Sequence, residues 1–159
     1  MNRVDKILQN KKYKEHLERI ENLEMMRVYC KHHMTHFMDV ARIAYILNLE
    51  EESGIDKEMI YATALLHDIG RWKEYESGID HALASQELSV EILQDCGFHK
   101  EEIKEIGDAI AHHRIKDNHP TVLSQYLYRA DKLSRSCYSC KSIKACKKFA
   151  NEEVPIFLY

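Results

Sequence analysis

The sequence predicts an all-α fold, a bundle of about six or more helices, and three observations carry that prediction. The 159 residues include only 5 Gly and 2 Pro, so the turns of a strand-rich fold have little to work with. Apolar residues recur three and four apart nearly throughout the chain. The composition, 45% hydrophobic and 31% charged, is that of a helical domain with a wet surface rather than of a disordered chain. A chain of this length buries a substantial core without disulfides or a partner, so a single domain over 1–159 is expected.

The elements follow in order. Tyr13, Leu17, Ile20 and Leu23 form one stripe of a segment whose other face is Lys, Glu, Arg and Asn, and an N-terminal helix is expected within 1–30. A second helix runs from about His33 to Leu49 and stops in the polar stretch before Gly54, and Asp56 caps a third that carries Met59, Ile60, Ala64 and Leu65. That helix ends at His67-Asp68-Ile69-Gly70, and Arg71 to Asp80, with its Ser77-Gly78, reads as a loop. Helices resume at His81 to Leu93, Lys100 to about Arg114, and Thr121 to Ser134. The expected division is an N-terminal helix in 1–30, a helical core in 31–134 and a cysteine-containing tail in 135–159, irregular or only briefly helical.

The formal net charge is -3 and the positive residues are scattered. No basic stripe suits a phosphate backbone, so extended nucleic acid is not an expected partner. No apolar run approaches the roughly 18 residues needed to cross a bilayer, and Met1 to Lys12 does not read as an export signal. A cytoplasmic location follows as the expectation, and the five cysteines then read as reduced thiols or ligands rather than bridges.

The ten histidines are clustered, three within His32 to His36 and two adjacent at His112 and His113, which points to metal. The most specific segment is Leu65-Leu66-His67-Asp68-Ile69-Gly70-Arg71. An isolated His-Asp pair is ordinarily a cap, but this one closes an apolar helix. A divalent cation is one of the few partners that offsets the cost of burying a carboxylate while also using the neighbouring imidazole. Four other helices place a His or Asp where the apolar stripe would continue. His36 leads into Val40, Ile43 and Leu47; His81 stands one turn before Ser85; Asp131 follows Leu123 and Leu127. His113 continues Ile103, Ile106 and Ile110, whereas His112 follows Glu105 and Asp108 on a polar face, so periodicity selects His113. His33, His16, His99 and His119 read as surface.

The ordered set His36, His67-Asp68, His81, His113 and Asp131 resembles the H, HD, H, H, D signature of the HD superfamily, over about Arg27 to Ser134, and the flanks Ile69-Gly70-Arg71, Ala109-Ile110 and Arg129-Ala130-Asp131-Lys132 agree. The resemblance implies a metal-dependent phosphohydrolase. One metal would be held by His36, His67, Asp68 and Asp131, and a second by His81 and His113 with Asp68 bridging. Imidazole and carboxylate ligands suit iron or manganese, and less specifically zinc, nickel or magnesium. In the mechanism implied, the metals bind a phosphate and lower the pKa of a bridging water that attacks phosphorus in line, with His67 and Asp68 at its centre. Arg71 and Lys132 are candidate phosphate-binding cations, Arg71 nearest the chemistry, and His32, one turn before His36, is a candidate for the same site.

The substrate expected is a small phosphorylated molecule of nucleotide type. The motifs around His113 and Asp131 look most like the branch that cleaves symmetrical dinucleoside polyphosphates, with nucleotide monoesters and cyclic dinucleotides as alternatives. His113 is followed by Arg114-Ile115-Lys116 rather than the Gly-Tyr-Pro of the cyclic-dinucleotide enzymes. The competing class is a non-catalytic sensor of metal or nucleotide. In the tail, Cys137, Cys140 and Cys146 form a candidate further metal site, zinc or iron–sulfur, for which a fourth ligand must come from Cys30, Cys96 or a histidine.

Overall fold

The computed structural model describes residues 1–149, 154, 155 and 157–159; residues 150–153 and 156 of the tail lie outside the described set. Among the described residues the regular structure is helical throughout: α1 (Asn2–Gln9), α2 (Lys11–Leu23), α3 (Met34–Glu50), α4 (Lys57–Leu66), α5 (Arg71–Ser77), α6 (His81–Cys96), α7 (Lys100–His112) and α8 (Val122–Leu133), followed by three 3-10 turns at Cys137–Ser139, Ile143–Ala145 and Lys147–Phe149.

α4 is the axis of the bundle. It packs on α1, α3, α6, α7 and α8, and the unbroken run from Ala62 to Gly70 is buried. A helix apolar on every side belongs in such a position. The core around it includes Tyr13, Phe37, Leu47, Leu65, Leu66, Ile110 and Tyr126, each almost wholly shielded from solvent. The start of α4 is fixed by Asp56, whose carboxylate accepts from the Glu58 and Met59 amides at 2.9 and 3.2 Å. Capping of this kind satisfies donors that the helix itself leaves free. The chain enters α6 the same way, with Asp80 accepting from Ala82 and Leu83.

Two segments differ from expectation. The N-terminal segment holds two helices rather than one, because Asn10 leaves helical geometry at ψ 130 and caps α2 through its side chain. Arg71–Ser77 is a helix, not a loop. Its seven residues contain no breaker, and the stop signal acts only at Gly78, which takes the left-handed conformation at φ 70. α5 leans on α2 and α6; on the α2 side the Arg19 guanidinium lies at 3.7 Å over the Trp72 ring, while His16 stacks on the same ring and is half-buried rather than surface.

Candidate metal centre

The C-terminal end of α4 carries His67 and Asp68 into the middle of the bundle, with relative exposures of 0% and 3%. The turn that follows passes against α6 too closely for a side chain. A Cβ at Gly70 would lie 2.4 Å from the Ser85 backbone nitrogen and 2.7 Å from the Ala84 carbonyl carbon. Gly70 donates its amide to Ser85 Oγ at 2.9 Å. Glycine at this position thus answers a steric demand rather than a demand for unusual backbone angles, its φ being -85.

Five imidazoles converge here, and each has Nδ1 tied to the scaffold. His67 Nδ1 lies 2.7 Å from the Ala64 carbonyl and His113 Nδ1 2.7 Å from the Ile110 carbonyl. His32 Nδ1 meets Glu24 Oε1 at 2.5 Å, His81 Nδ1 meets Glu74 Oε2 at 2.7 Å, and His36 Nδ1 meets Ser134 Oγ at 3.4 Å. With the proton held on Nδ1, the Nε2 lone pair is the one presented inward, which is how metal-binding imidazoles are oriented by their outer partners. Burial, then the neighbouring His67, lowers the His36 pKa to about 3, and burial lowers that of His113, so both rings are neutral near pH 7.

Asp68 stands at the centre. Its Oδ1 is 3.1 Å from His81 Nε2 and 3.5 Å from His113 Nε2, and its Oδ2 is 3.3 Å from His67 Nε2 and 3.5 Å from His32 Nε2. Burial alone would raise its pKa, but the imidazoles of His67 and His32 hold it well below the usual carboxylate range. Three groups of ligand atoms lie mutually within 4.8 Å: His32, His36 and Asp68; His36, His67 and Asp131; and Asp68, His81 and His113. Asp68 Oδ1, His67 Nε2 and His36 Nε2 are buried and, despite their neighbours, make no well-directed hydrogen bond. Buried polar atoms left in this state are costly unless something else satisfies them. Converging acceptor lone pairs, with the other ring nitrogens already engaged, are the donor set that fits divalent metal.

The periphery of the site is charged. Asp131, buried at 3% exposure, receives Arg135 Nη2 at 3.0 Å and Lys132 Nζ at 2.5 Å; burial would raise its pKa, and these two cations drive it far down instead. Arg71 Nη1 donates to His81 Nε2 at 3.0 Å and to Glu74 at 3.1 Å, and Arg71 Nη2 donates to His32 Nε2 at 3.0 Å. Glu24 is buried at 2% exposure and accepts from the Tyr75 hydroxyl as well as from His32. Burial would raise the Glu24 pKa, yet His32 and Tyr75 draw it down to about 2.

All six ligand positions read from the sequence therefore come to one place, and Arg71, Lys132 and His32 reach its edge, His32 as a member of a ligand-spaced group. His112 does not join them; its Nδ1 faces the Asp108 carbonyl at 2.7 Å, outside the three groups. Sequence reasoning missed Glu24, Glu74 and Arg135. Arg135 carries a signal, falling one helical turn after Asp131, whereas Glu24 is brought to His32 by the turn that follows α2, which no periodicity reports.

The family model of the HD domain matches residues 34–136. An uncharacterized protein of Clostridium beijerinckii is 48% identical over 146 residues, 92% of each chain. Ribonuclease Y of Thermus thermophilus is 30% identical over 118 residues, which are 74% of this chain and 19% of that protein; the chain thus matches about a fifth of the length of that relative. Among solved structures, a predicted HD superfamily hydrolase from an uncultured Thermotogales bacterium is similar with a TM-score of 0.60 and 28% identity, covering 76% of this chain and 66% of that one. Helical bundle and ligand set together define the class of metal-dependent phosphohydrolases built on histidine and aspartate. The chain belongs to the HD domain family.

Proposed function

We propose that the protein hydrolyses a phosphoester or phosphoanhydride of a nucleotide-type substrate, with a pair of transition metals held by His36, His67, Asp68, His81, His113 and Asp131. The observation that carries this reading is the position of Asp68, whose carboxylate belongs to two of the three ligand-spaced groups, one on each side of it. A carboxylate so placed has an oxygen for each of two ions. When bound, metals in such a site polarise the phosphoryl group and lower the pKa of a water, supplying the nucleophile at neutral pH. Iron or manganese is the pair proposed, from the absence of thiolate in the His and Asp ligand set.

The chain's own residues supply the rest. The Nδ1 partners fix each ring so that Nε2 is the donor atom. Glu24 and Glu74 hold His32 and His81 through carboxylate–imidazole contacts, which fix the orientation of those rings. Arg135 and Lys132 balance the charge of Asp131 and keep it ionised. Arg71 lies beside His81 and His32 with 16% of its side chain exposed, and we assign to it two parallel hydrogen bonds to non-reacting phosphate oxygens. A symmetrical dinucleoside polyphosphate is the substrate proposed, with nucleotide monoesters as the nearest competitor.

The deciding experiment is turnover of a panel of dinucleoside polyphosphates, nucleotide monoesters and cyclic dinucleotides by protein loaded with iron or manganese under exclusion of oxygen. Hydrolysis that requires added metal and prefers dinucleoside polyphosphates is expected. Tight nucleotide binding without turnover under any metal would instead define a sensor.

A further inference from the structure

Three of the cysteines fall in the run from Ser136 to Phe149, which the phosphohydrolase centre leaves unused. The backbone there forms successive 3-10 turns linked end to end. The amide of Cys140 donates to Cys137 at 3.2 Å, Ile143 to Cys140 at 3.3 Å, Cys146 to Ile143 at 3.0 Å and Phe149 to Cys146 at 3.0 Å. A 3-10 helix has three residues per turn, so residues three apart line up on one side. Burial follows that period: Cys137, Cys140, Ile143, Cys146 and Phe149 are half-buried, while most residues between them are exposed. All five line one cavity of about 310 Å³.

The opposite wall of that cavity supplies a fourth thiol. Cys30 lines it together with Val28 and Tyr29, and this segment is held to the tail by two hydrogen bonds, Tyr29 Oη to the Ala145 carbonyl at 3.3 Å and Ser142 Oγ to the Val28 carbonyl at 3.4 Å. Burial pushes the Cys137 thiol up, Lys148 and Arg135 pull it down, and the facing thiols of Cys30 and Cys146 raise it again. The remaining cysteine, Cys96, is buried in the hydrophobic core at 1% exposure. None of the five is bridged.

We propose that Cys30, Cys137, Cys140 and Cys146 ligate an iron–sulfur cluster in this cavity. Ligation by four thiolates, a compact run of cysteines with one distant partner, is the usual way such clusters are held. A single zinc ion suits the geometry less well. Tetrahedral Zn–S bonds of about 2.3 Å bring the four sulfurs to about 3.8 Å from one another, yet among the described residues every group of three ligand atoms within 4.8 Å is built of His and Asp alone. No three of the thiols therefore lie mutually within that reach, and the cavity of about 310 Å³ that all four line has room for a polynuclear core, whose thiolates stand farther apart than those of one zinc ion. The charge also matches. From Lys132 to Asn151 the sequence carries Arg135, Lys141, Lys144, Lys147 and Lys148 and no Asp or Glu, and the cavity wall holds Lys31 and Arg135 against the single carboxylate of Asp39, so a cluster with four thiolates, which bears net negative charge, is attached to a basic segment. His36 and Arg135 form part of the same cavity wall, which places the cluster beside the histidine–aspartate centre without using its ligand atoms.

The test is anaerobic reconstitution of the full chain with ferric iron, dithiothreitol and sulfide, the thiol reducing part of the iron, read by visible charge-transfer absorption and by analysis of iron and acid-labile sulfide. Sulfide distinguishes this site from iron at the histidine–aspartate centre, which takes up none. The expected result is a brown protein with equal cluster iron and sulfide. The absorption should be lost in Cys137→Ser and in Cys30→Ser while circular dichroism stays helical, and it should be kept in Cys96→Ala. Uptake of one zinc per chain by the thiols with no sulfide incorporated would overturn the proposal, as would full cluster loading of Cys30→Ser.

Discussion

The Gly70 amide donates to Ser85 Oγ at 2.9 Å across a gap that admits no Cβ. This close approach to α6 lies two residues from Asp68, whose Oδ1 is 3.1 Å from Nε2 of His81 at the start of the same helix. Gly70→Ala would press its methyl on the backbone of Ala84 and Ser85, which cannot rotate away as a flexible side chain can. A loss of about 1–3 kcal/mol in stability is expected, the usual cost of overpacking, together with weakened metal retention. Chemical denaturation and metal analysis of the variant check both.

A second contact holds the N-terminus to the bundle. Arg3 Nη1 donates to both carboxylate oxygens of Glu102 at 2.8 and 2.7 Å, Nε donates to Glu58 at 2.6 Å, and the guanidinium lies over the Phe98 ring at 4.1 Å. Arg3→Ala should cost about 1–2 kcal/mol, more than a lone surface pair because three partners are lost together. The hydrogen bond from Arg3 lowers the Glu58 pKa, and for Glu102 burial, which would raise it, is offset by the hydrogen bonds from Arg3 and the His99 amide together with the Arg3 charge, so both lie below the ordinary 4.5. A depressed carboxyl pKa gives stability that is present above 4.5 and lost as pH falls below it. The stability curve of Arg3→Ala should therefore be flatter than that of the parent on the acid side, measured by urea unfolding at stepped pH.

His113→Ala should abolish most phosphohydrolase activity, whereas His112→Ala should reduce it only modestly. His113 is buried with Nε2 3.5 Å from Asp68 Oδ1, while the His112 ring is spent on the Asp108 carbonyl. Steady-state rates of the two variants under saturating metal decide the matter, and equal losses would make His112 a ligand.

The contrast between these neighbours is legible in the sequence because α7 is strongly two-faced: Ile103, Ile106 and Ile110 lead to His113, and Glu105 and Asp108 lead to His112. The same logic finds His36 and Asp131, and the His67-Asp68 pair stands out because nothing else in α4 is charged beyond its first turn. Arg71–Ser77 reads as a loop because a short helix with no buried residue leaves no apolar stripe to count. Glu24 is hidden for a different reason. Its burial depends on a turn that brings it to His32 and Tyr75, and long-range placement of that sort leaves no local trace. Cys30 likewise joins the tail cysteines only through contacts between residues more than a hundred positions apart.

Metal analysis after loading with manganese should find more than one equivalent per chain, since six ligands exceed what one tetrahedral centre with an open position accepts. Manganese is the suitable probe because the thiol site of the tail favours softer ions. Removal with a chelator should abolish activity and leave the far-ultraviolet circular dichroism helical, because the apolar contacts of α4 rather than the metals hold the bundle together.

The most direct measurement is the activity of Asp68→Asn beside that of the parent, with metal content and circular dichroism determined on the same samples. The substitution keeps the shape of the side chain and removes the charge that is proposed to hold both ions. Activity is predicted to fall by several orders of magnitude and metal content to drop, with the helical signal unchanged. Near-full hydrolysis by Asp68→Asn with both metals still bound would contradict the assignment of this carboxylate as the bridge of the catalytic centre.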